Sequence, residues 1–144
     1  MAHTLVENKC ISFTLGTETY AHPVSSIKEI LRYTAPNPIP GATYEVEGVL
    51  SVRGEAITVL SGRRLLKIND ETANDSWCIV SLTTPSGLFG IVVDEVNEMI
   101  DLDQTQLETR EQGNEFIKGT IRNSDQLVIL VDFSTYCQKI AEYG

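Results

Sequence analysis

Short stretches of alternating apolar and polar residues, separated by turn-forming residues, recur along the chain. In residues 10–15, Ile11, Phe13 and Leu15 fall on one face, and Gly16 begins a turn into a second short run at 19–22. This is the pattern of a β-hairpin. Three further pairs of β-prone runs follow, at 48–52 with 56–60, 77–83 with 88–93, and 117–121 with 127–131. The pattern predicts an all-β protein built from hairpins.

Two internal segments depart from this alternation and predict helical structure. After Pro23, Ser25 is placed to cap a short helix in which Ile27, Ile30 and Leu31 recur at helical spacing. The segment 94–100 predicts a short helix or a turn. The sequence therefore predicts that a helical element follows the first and the third hairpin.

Prolines, glycines and the end of the apolar pattern assign the remaining segments. Residues 34–43 contain three prolines and predict a long exposed loop. The second hairpin turns at Arg53, and the following Gly54 is free to adopt a positive φ angle. Residues 133–143 predict a closing helix with apolar residues on one side.

The order of elements repeats along the chain. At an offset of 69 positions, Tyr20 falls on Phe89, Ile27 on Val96 and Glu29 on Glu98; at an offset of 71, Gly48 falls on Gly119. We interpret the chain as a single domain over 10–142, made of approximate copies at 10–70 and 76–142, after a flexible N-terminus at 1–9. A module of ~60 to 70 residues is marginal alone, so we expect the copies to pack together or exchange strands as two small barrels.

Composition limits the classes of function. The chain has 144 residues, of which 42% are hydrophobic and 22% charged, enough for one packed domain. Its 20 acidic and 11 basic residues give a net charge of −9, which argues against nucleic acid and anionic membranes as partners. The first residues carry no basic segment followed by an apolar run, so we expect the protein in the cytoplasm.

Residues that could carry chemistry are few. The chain has three cysteines that are far apart in sequence, Cys10, Cys78 and Cys137. We expect their thiols to be reduced and packed as small apolar groups. His22 could pair with Cys10 across the first hairpin, but no third group orients such a pair. The acidic run from Asp94 to Asp103 lacks the spacing of a calcium loop. The sequence predicts no catalytic residue, no cofactor and no metal, and favours a binding module; a small-ligand-binding or catalytic barrel is the alternative of another class.

Four blocks of the sequence resemble the CheW family of chemotaxis coupling proteins, in that family's order over about residues 10–140. They are Phe13-Thr14-Leu15-Gly16-Thr17-Glu18-Thr19-Tyr20-Ala21, Pro23-Val24 with Ile27-Lys28-Glu29-Ile30, Gly48-Val49-Leu50-Ser51-Val52-Arg53-Gly54, and Gly90-Ile91-Val92-Val93-Asp94-Glu95-Val96. The resemblance implies a CheW-like fold of two five-stranded barrels. It also implies a non-enzymatic adaptor that links the cytoplasmic tips of methyl-accepting chemoreceptors to the regulatory domain of a CheA-type histidine kinase, in arrays at the inner membrane.

The resemblance also implies a receptor-binding site at Ile27, Glu29, Val52, Arg53 and Gly54, and rings in which the protein alternates with the kinase or contacts itself. The chain reads Ser51-Val52-Arg53-Gly54 where the family usually has Asn-Leu-Arg-Gly, and residues 58–63 also depart from the family's Pro-Val-Ile-Asp-Leu-Arg run. A coupling protein of an auxiliary system or of type IV pilus twitching motility is therefore an alternative to one of swimming chemotaxis.

Overall fold

β-Strands make up most of the protein. The computed structural model describes residues 9–109, 116–134, 136 and 137, and this part of the chain contains ten strands. In chain order they are β1 (Lys9–Leu15), β2 (Glu18–Pro23), β3 (Ile27–Arg32), β4 (Val46–Val52), β5 (Glu55–Ser61), β6 (Cys78–Thr84), β7 (Gly87–Val93), β8 (Glu95–Asp101), β9 (Ile117–Asn123) and β10 (Gln126–Val131). Eight of them lie within two residues of the runs that the alternating pattern predicts.

The strands form two five-stranded sheets, with the orders β8-β1-β2-β10-β9 and β3-β6-β7-β5-β4. Neighbouring strands run antiparallel except for the pairs β2 with β10 and β5 with β7, which are parallel. Each sheet therefore joins the first hairpin of one half of the chain to the last three strands of the other half. Because of this interlocking, neither half can complete a sheet by itself.

The two sheets share details of backbone geometry that follow from the sequence repeat. Gly48 and Gly119 both have φ = 152°. A Cβ atom at Gly48 would lie 2.1 Å from the carbonyl oxygen of Asn37, and one at Gly119 would lie 2.5 Å from the carbonyl oxygen of Glu108. In both halves a loop thus crosses a strand so closely that glycine is required there.

Apolar side chains form three buried clusters. The central cluster lies between the sheets; its largest fully buried members are Phe13, Leu15, Leu60, Leu82, Ile91 and Phe133. The first sheet has its own cluster of Cys10, Ala21, Leu102, Ile121, Val128 and Leu130. The second sheet has one of Ile57, Val59, Trp77, Ile79 and Val92. The all-β prediction is confirmed, with the two expected barrels present as two five-stranded sheets that each enclose apolar residues.

The predicted helical segments after the first and third hairpins are wrong, because both form edge strands. Residues 24–26 form only a single 3₁₀ turn, without a side-chain cap from Ser25, and β3 begins at once at Ile27. The segment from 94 to 100 likewise runs into β8. In both strands a β-bulge shifts the register with the neighbouring strand. The helical spacing of apolar residues in the sequence arises because Ile30 in β3 and Met99 in β8 are exposed, so the apolar positions do not mark the buried face of either strand.

The chain turns into a helical segment after β10. Ser134, Tyr136 and Cys137 are helical, and the Cys137 amide donates to the Phe133 carbonyl at 3.0 Å. Asp132 Oδ1 accepts a hydrogen bond from the Ser134 amide at 3.0 Å and so caps this turn. The rest of the predicted 133–143 helix lies outside the described residues, as does the N-terminal segment 1–8. In the described part of the chain, no helix has the length and apolar character needed to cross a membrane.

Candidate protein-binding site

The β4–β5 hairpin presents Arg53 to solvent. Val52 pairs with Glu55, so Arg53 and Gly54 form a two-residue loop, and their φ angles are 50° and 81°. Positive φ at both central positions is the geometry of a type I′ turn, which matches the twist of the flanking strands. The Arg53 side chain is 63% exposed. The prediction that Arg53 lies at a hairpin tip is confirmed.

Glu29 reaches the hairpin tip from β3 and not from a helix, and Ile27 lies two residues before it on the same strand. Ile27 is the first residue of this edge strand and packs against the central cluster between the sheets. Glu29 is half-buried, and its carboxylate forms an ion pair with the Arg53 guanidinium. Val52 packs against the cluster of the second sheet, so the two apolar members of the predicted site rest on different parts of the core.

A second ion pair joins the same two elements, and the sequence had not indicated it. Lys28 Nζ lies 2.7 Å from Glu55 Oε1, and this contact lowers the pKa of the Glu55 carboxyl. Both side chains are exposed, so the pair contributes little to stability. Its effect is on geometry: two ion pairs, each with one member on β3 and one on the hairpin, set the position of the hairpin tip relative to β3. We call the surface formed by Ile27, Glu29, Val52, Arg53 and Gly54 the hairpin-tip surface.

The alternative Cys10–His22 site is not supported. Both imidazole nitrogens of His22 are engaged, since Nδ1 lies 3.1 Å from the carbonyl oxygen of Pro23 and Nε2 accepts the Phe133 amide at 3.0 Å. Burial lowers the pKa of this imidazole. Burial also raises the pKa of the Cys10 thiol to about 11, so the thiol is not a ready nucleophile. His22 instead holds the first residue of the C-terminal segment.

The acidic run does not gather into a metal site. Asp94 is turned inward, where both of its carboxylate oxygens accept hydrogen bonds from Arg63 at 2.9 and 2.6 Å. Glu95, Glu98 and Asp101 are exposed along β8. Across the described residues, no group of three or more potential ligands is arranged to hold a metal ion. The exposed carboxylates of β8 face solvent, and the partly buried Asp94 has a structural role as the partner of Arg63.

A polar cavity of about 200 Å³ opens at the second sheet, away from the hairpin-tip surface. It is lined by Tyr33, Glu47, Ser61, Arg63, Arg64, Asp70, Glu71, Ala73 and Trp77. Its two arginines are paired with Asp94, Glu71 and Asp70. The lining contains neither Cys10 nor His22, so the cavity does not assemble the groups on which a catalytic barrel would depend.

Comparison with known proteins identifies a family for this chain. The family model described as the CheW-like domain matches residues 9–140. The chemotaxis protein CheW of Thermotoga maritima is 25% identical over 143 residues, covering 97% of this chain and 94% of that protein. The CheW of Treponema pallidum is 27% identical over 131 residues, covering 85% of this chain and 77% of that protein.

A solved structure has the same fold. The scaffolding protein TtCheW from Thermoanaerobacter tengcongensis superposes with a TM-score of 0.79 at 22% identity, covering 88% of this chain and 91% of that one. The sequence and fold matches confirm the resemblance found in the four sequence blocks. Proteins of the matched family are scaffold adaptors and not enzymes, which favours the adaptor over the catalytic alternative.

Proposed function

This chain belongs to the family of CheW-like chemotaxis proteins, and from that premise we propose that it couples the cytoplasmic tips of methyl-accepting chemoreceptors to a CheA-type histidine kinase. The hairpin-tip surface is the proposed receptor contact. The observation that carries this choice is the ion pair between Glu29 and Arg53, which joins two separate sequence blocks of the family pattern into one exposed feature.

The chemistry of this surface suits a helical receptor tip. Among the described residues, the Arg53 guanidinium donates a hydrogen bond to Glu29 through Nη2, and its charge also helps to lower the pKa of Glu55. The other N–H groups of the guanidinium can therefore donate to a carboxylate or a carbonyl of a partner. Half-buried Ile27 and Val52 offer apolar contact beside it. An apolar surface bordered by a charged donor is typical of sites that bind one face of a helix.

The overall charge supports the choice of protein partners. At a net charge of −9, the chain attracts basic surfaces from a distance and repels acidic ones. Arg53 is a positively charged side chain on an acidic protein, so it favours a partner that presents a carboxylate or a carbonyl to it. We place the protein at receptor arrays on the cytoplasmic side of the inner membrane, with the kinase regulatory domain as its second partner.

The proposal is tested by co-sedimentation with membranes that carry receptors encoded in the same genome. We expect wild type to sediment with them and Arg53→Asp to lose at least ~30-fold in affinity, because a central arginine can contribute about 2 kcal/mol or more to an interface. Arg122→Asp is the matched control, since Arg122 is exposed on β9 of the other sheet. Equal binding of wild type and Arg53→Asp would contradict the site, as would equal losses in both variants.

The same experiment distinguishes the two kinds of chemosensory system. Membranes are prepared with receptors from a swimming-chemotaxis gene cluster or from a type IV pilus cluster of the same organism. A coupling protein of swimming chemotaxis sediments with the first set, and one of twitching motility with the second. Binding to neither set would contradict the coupling function itself.

A further inference from the structure

Ser81 lies opposite Glu29 on the neighbouring strand β6. Its side chain is fully buried. The Glu29 amide donates to Ser81 Oγ at 3.1 Å, and Ser81 Oγ donates to the Glu29 carbonyl at 2.9 Å. A single hydroxyl therefore satisfies both backbone polar groups of one member of the hairpin-tip surface, and it comes from the other half of the chain.

These two bonds lie in the β-bulge of β3. Ile27 is opposite Leu82 and Glu29 is opposite Ser81, so Lys28 is the extra residue. An extra residue reverses the face to which the following side chains point. Ile27 accordingly packs on the central cluster, whereas Leu31 packs on the cluster of the second sheet. The bulge thus directs Glu29 toward the hairpin of its own sheet, where Arg53 lies.

The other half of the chain contains the same serine arrangement at Glu98, which forms no ion pair with any of the described residues. Ser12 Oγ donates to the Glu98 carbonyl at 2.8 Å and accepts from the Glu98 amide at 3.2 Å, in the bulged region between β1 and β8. Ser12 is also buried. At the repeat offset of 71, the position of Arg53 is occupied by Ser124, which carries no charge. Ser12 therefore has the structural role of Ser81 without a place next to the hairpin-tip surface, which makes it a matched control.

We infer that Ser81 is a positioning residue of the receptor-binding surface, which acts by holding the bulge that presents Glu29 to Arg53. The inference rests on the proposed function. Without the hydroxyl, the backbone amide and carbonyl of Glu29 lose their shared hydrogen-bond partner, which costs free energy. We expect β3 to reduce this cost by changing its register or the direction of the Glu29 side chain. Arg53 then remains on the hairpin but is no longer held over β3.

The test compares Ser81→Ala with Ser12→Ala in the sedimentation assay with receptor membranes, and records the thermal unfolding of each. Both variants lose the same two hydrogen bonds, so we expect similar decreases in Tm. Receptor affinity should fall about fivefold in Ser81→Ala, equivalent to about 1 kcal/mol of coupling, and less than twofold in Ser12→Ala. In Ser81→Ala/Glu29→Gln the loss should not exceed that of Glu29→Gln alone, because Ser81 acts through Glu29.

Each other outcome overturns the inference. If neither serine variant changes receptor affinity while Arg53→Asp still abolishes it, the proposed function stands and the positioning role fails. If both serine variants weaken binding equally, the effect is a general consequence of lost stability. If Ser81→Ala and Glu29→Gln add fully, Ser81 does not act through Glu29. If none of these variants, including Arg53→Asp, loses receptor binding, the proposed receptor-binding site itself is rejected.

Discussion

Replacing Arg63 by alanine tests whether a buried ion pair holds the two sheets together. Arg63 lies in the helical turn Gly62–Leu65 after β5, and its side chain is 9% exposed. Nε and Nη2 donate to the two oxygens of Asp94 at 2.9 and 2.6 Å, and Nη1 donates to the Asn69 carbonyl at 2.6 Å. Asp94 also accepts the Gly16 amide of the first sheet at 2.9 Å. Arg63 thus joins the turn after β5 to Asn69 and to Asp94, and Asp94 in turn binds the first hairpin at Gly16.

The expected loss follows from the burial of the partner that remains. Removing one member of a buried ion pair typically costs about 3 to 5 kcal/mol, because the other charge is left unpaired. Asp94 is 17% exposed and keeps its bond to Gly16, so we expect the lower end, about 3 kcal/mol. For a chain of this length that corresponds to a decrease in Tm of about 10 °C. Arg64 pairs with the half-exposed Asp70, and its removal should cost less than about 1 kcal/mol.

Urea unfolding followed by circular dichroism at 25 °C measures these losses in Arg63→Ala, Arg64→Ala, Asp94→Ala and the double variant Arg63→Ala/Asp94→Ala. The double variant should lose clearly less than the combined losses of its two single variants, because each single variant leaves a partner without its counter-charge. The reasoning is refuted if Arg63→Ala loses no more than Arg64→Ala, or if the effects of the Arg63 and Asp94 substitutions add.

Two further predictions concern buried groups. Burial lowers the pKa of His22, so the folded protein binds a proton at this imidazole less readily than the unfolded chain does. The free energy of unfolding is therefore unaffected by His22 above about pH 6.5, and it decreases below that pH by up to about 1.4 kcal/mol per pH unit. Urea midpoints at pH 7.5 and 5.5 should show this slope in wild type, and its persistence in His22→Gln would contradict the assignment. Gly48→Ala should cost about 3 kcal/mol or more, because its Cβ would lie 2.1 Å from a backbone oxygen. Gly54→Ala, whose Cβ meets open space, should cost about 1 kcal/mol by the same measurement, and equal losses would show that close approach is not the cause.

The sequence predicts the four hairpins of this fold well but misses the two bulged edge strands β3 and β8, because their apolar residues do not follow their pattern of burial. In β1 apolar and polar residues alternate from Ile11 to Leu15, so a two-residue period is visible in the sequence. In β3 and β8 the apolar residues Ile30 and Met99 are exposed, so apolar positions and buried positions do not coincide and the spacing of apolar residues imitates a helix. At the repeat offset of 69, Ser12 falls on Ser81 and Glu29 on Glu98, and the structure shows what this correspondence means, since each serine bonds to the backbone of a glutamate in the other half.

The sequence names the members of the candidate site but does not predict their contacts, and their role in receptor binding stays a prediction. Sequence blocks identify Glu29 and Arg53 separately, and the structure joins them in an ion pair. The crossed pair of Lys28 with Glu55 could not be predicted, since it requires the strand assignment of β3 and the close approach of the hairpin. The pairing of each hairpin with the other half is also a property of the whole chain, because a local pattern does not specify which strands become neighbours.

The central claim is that this chain bridges receptor and kinase, and recruitment of the kinase tests it most directly. Receptor membranes and the CheA-type kinase of the same organism are sedimented with no adaptor, with wild type and with Arg53→Asp, and the kinase in the pellet is quantified. We predict that the kinase joins the membranes when wild type is present, and that Arg53→Asp leaves kinase and adaptor together in the supernatant. If the kinase in the pellet is the same with and without the wild-type chain, the coupling function is contradicted.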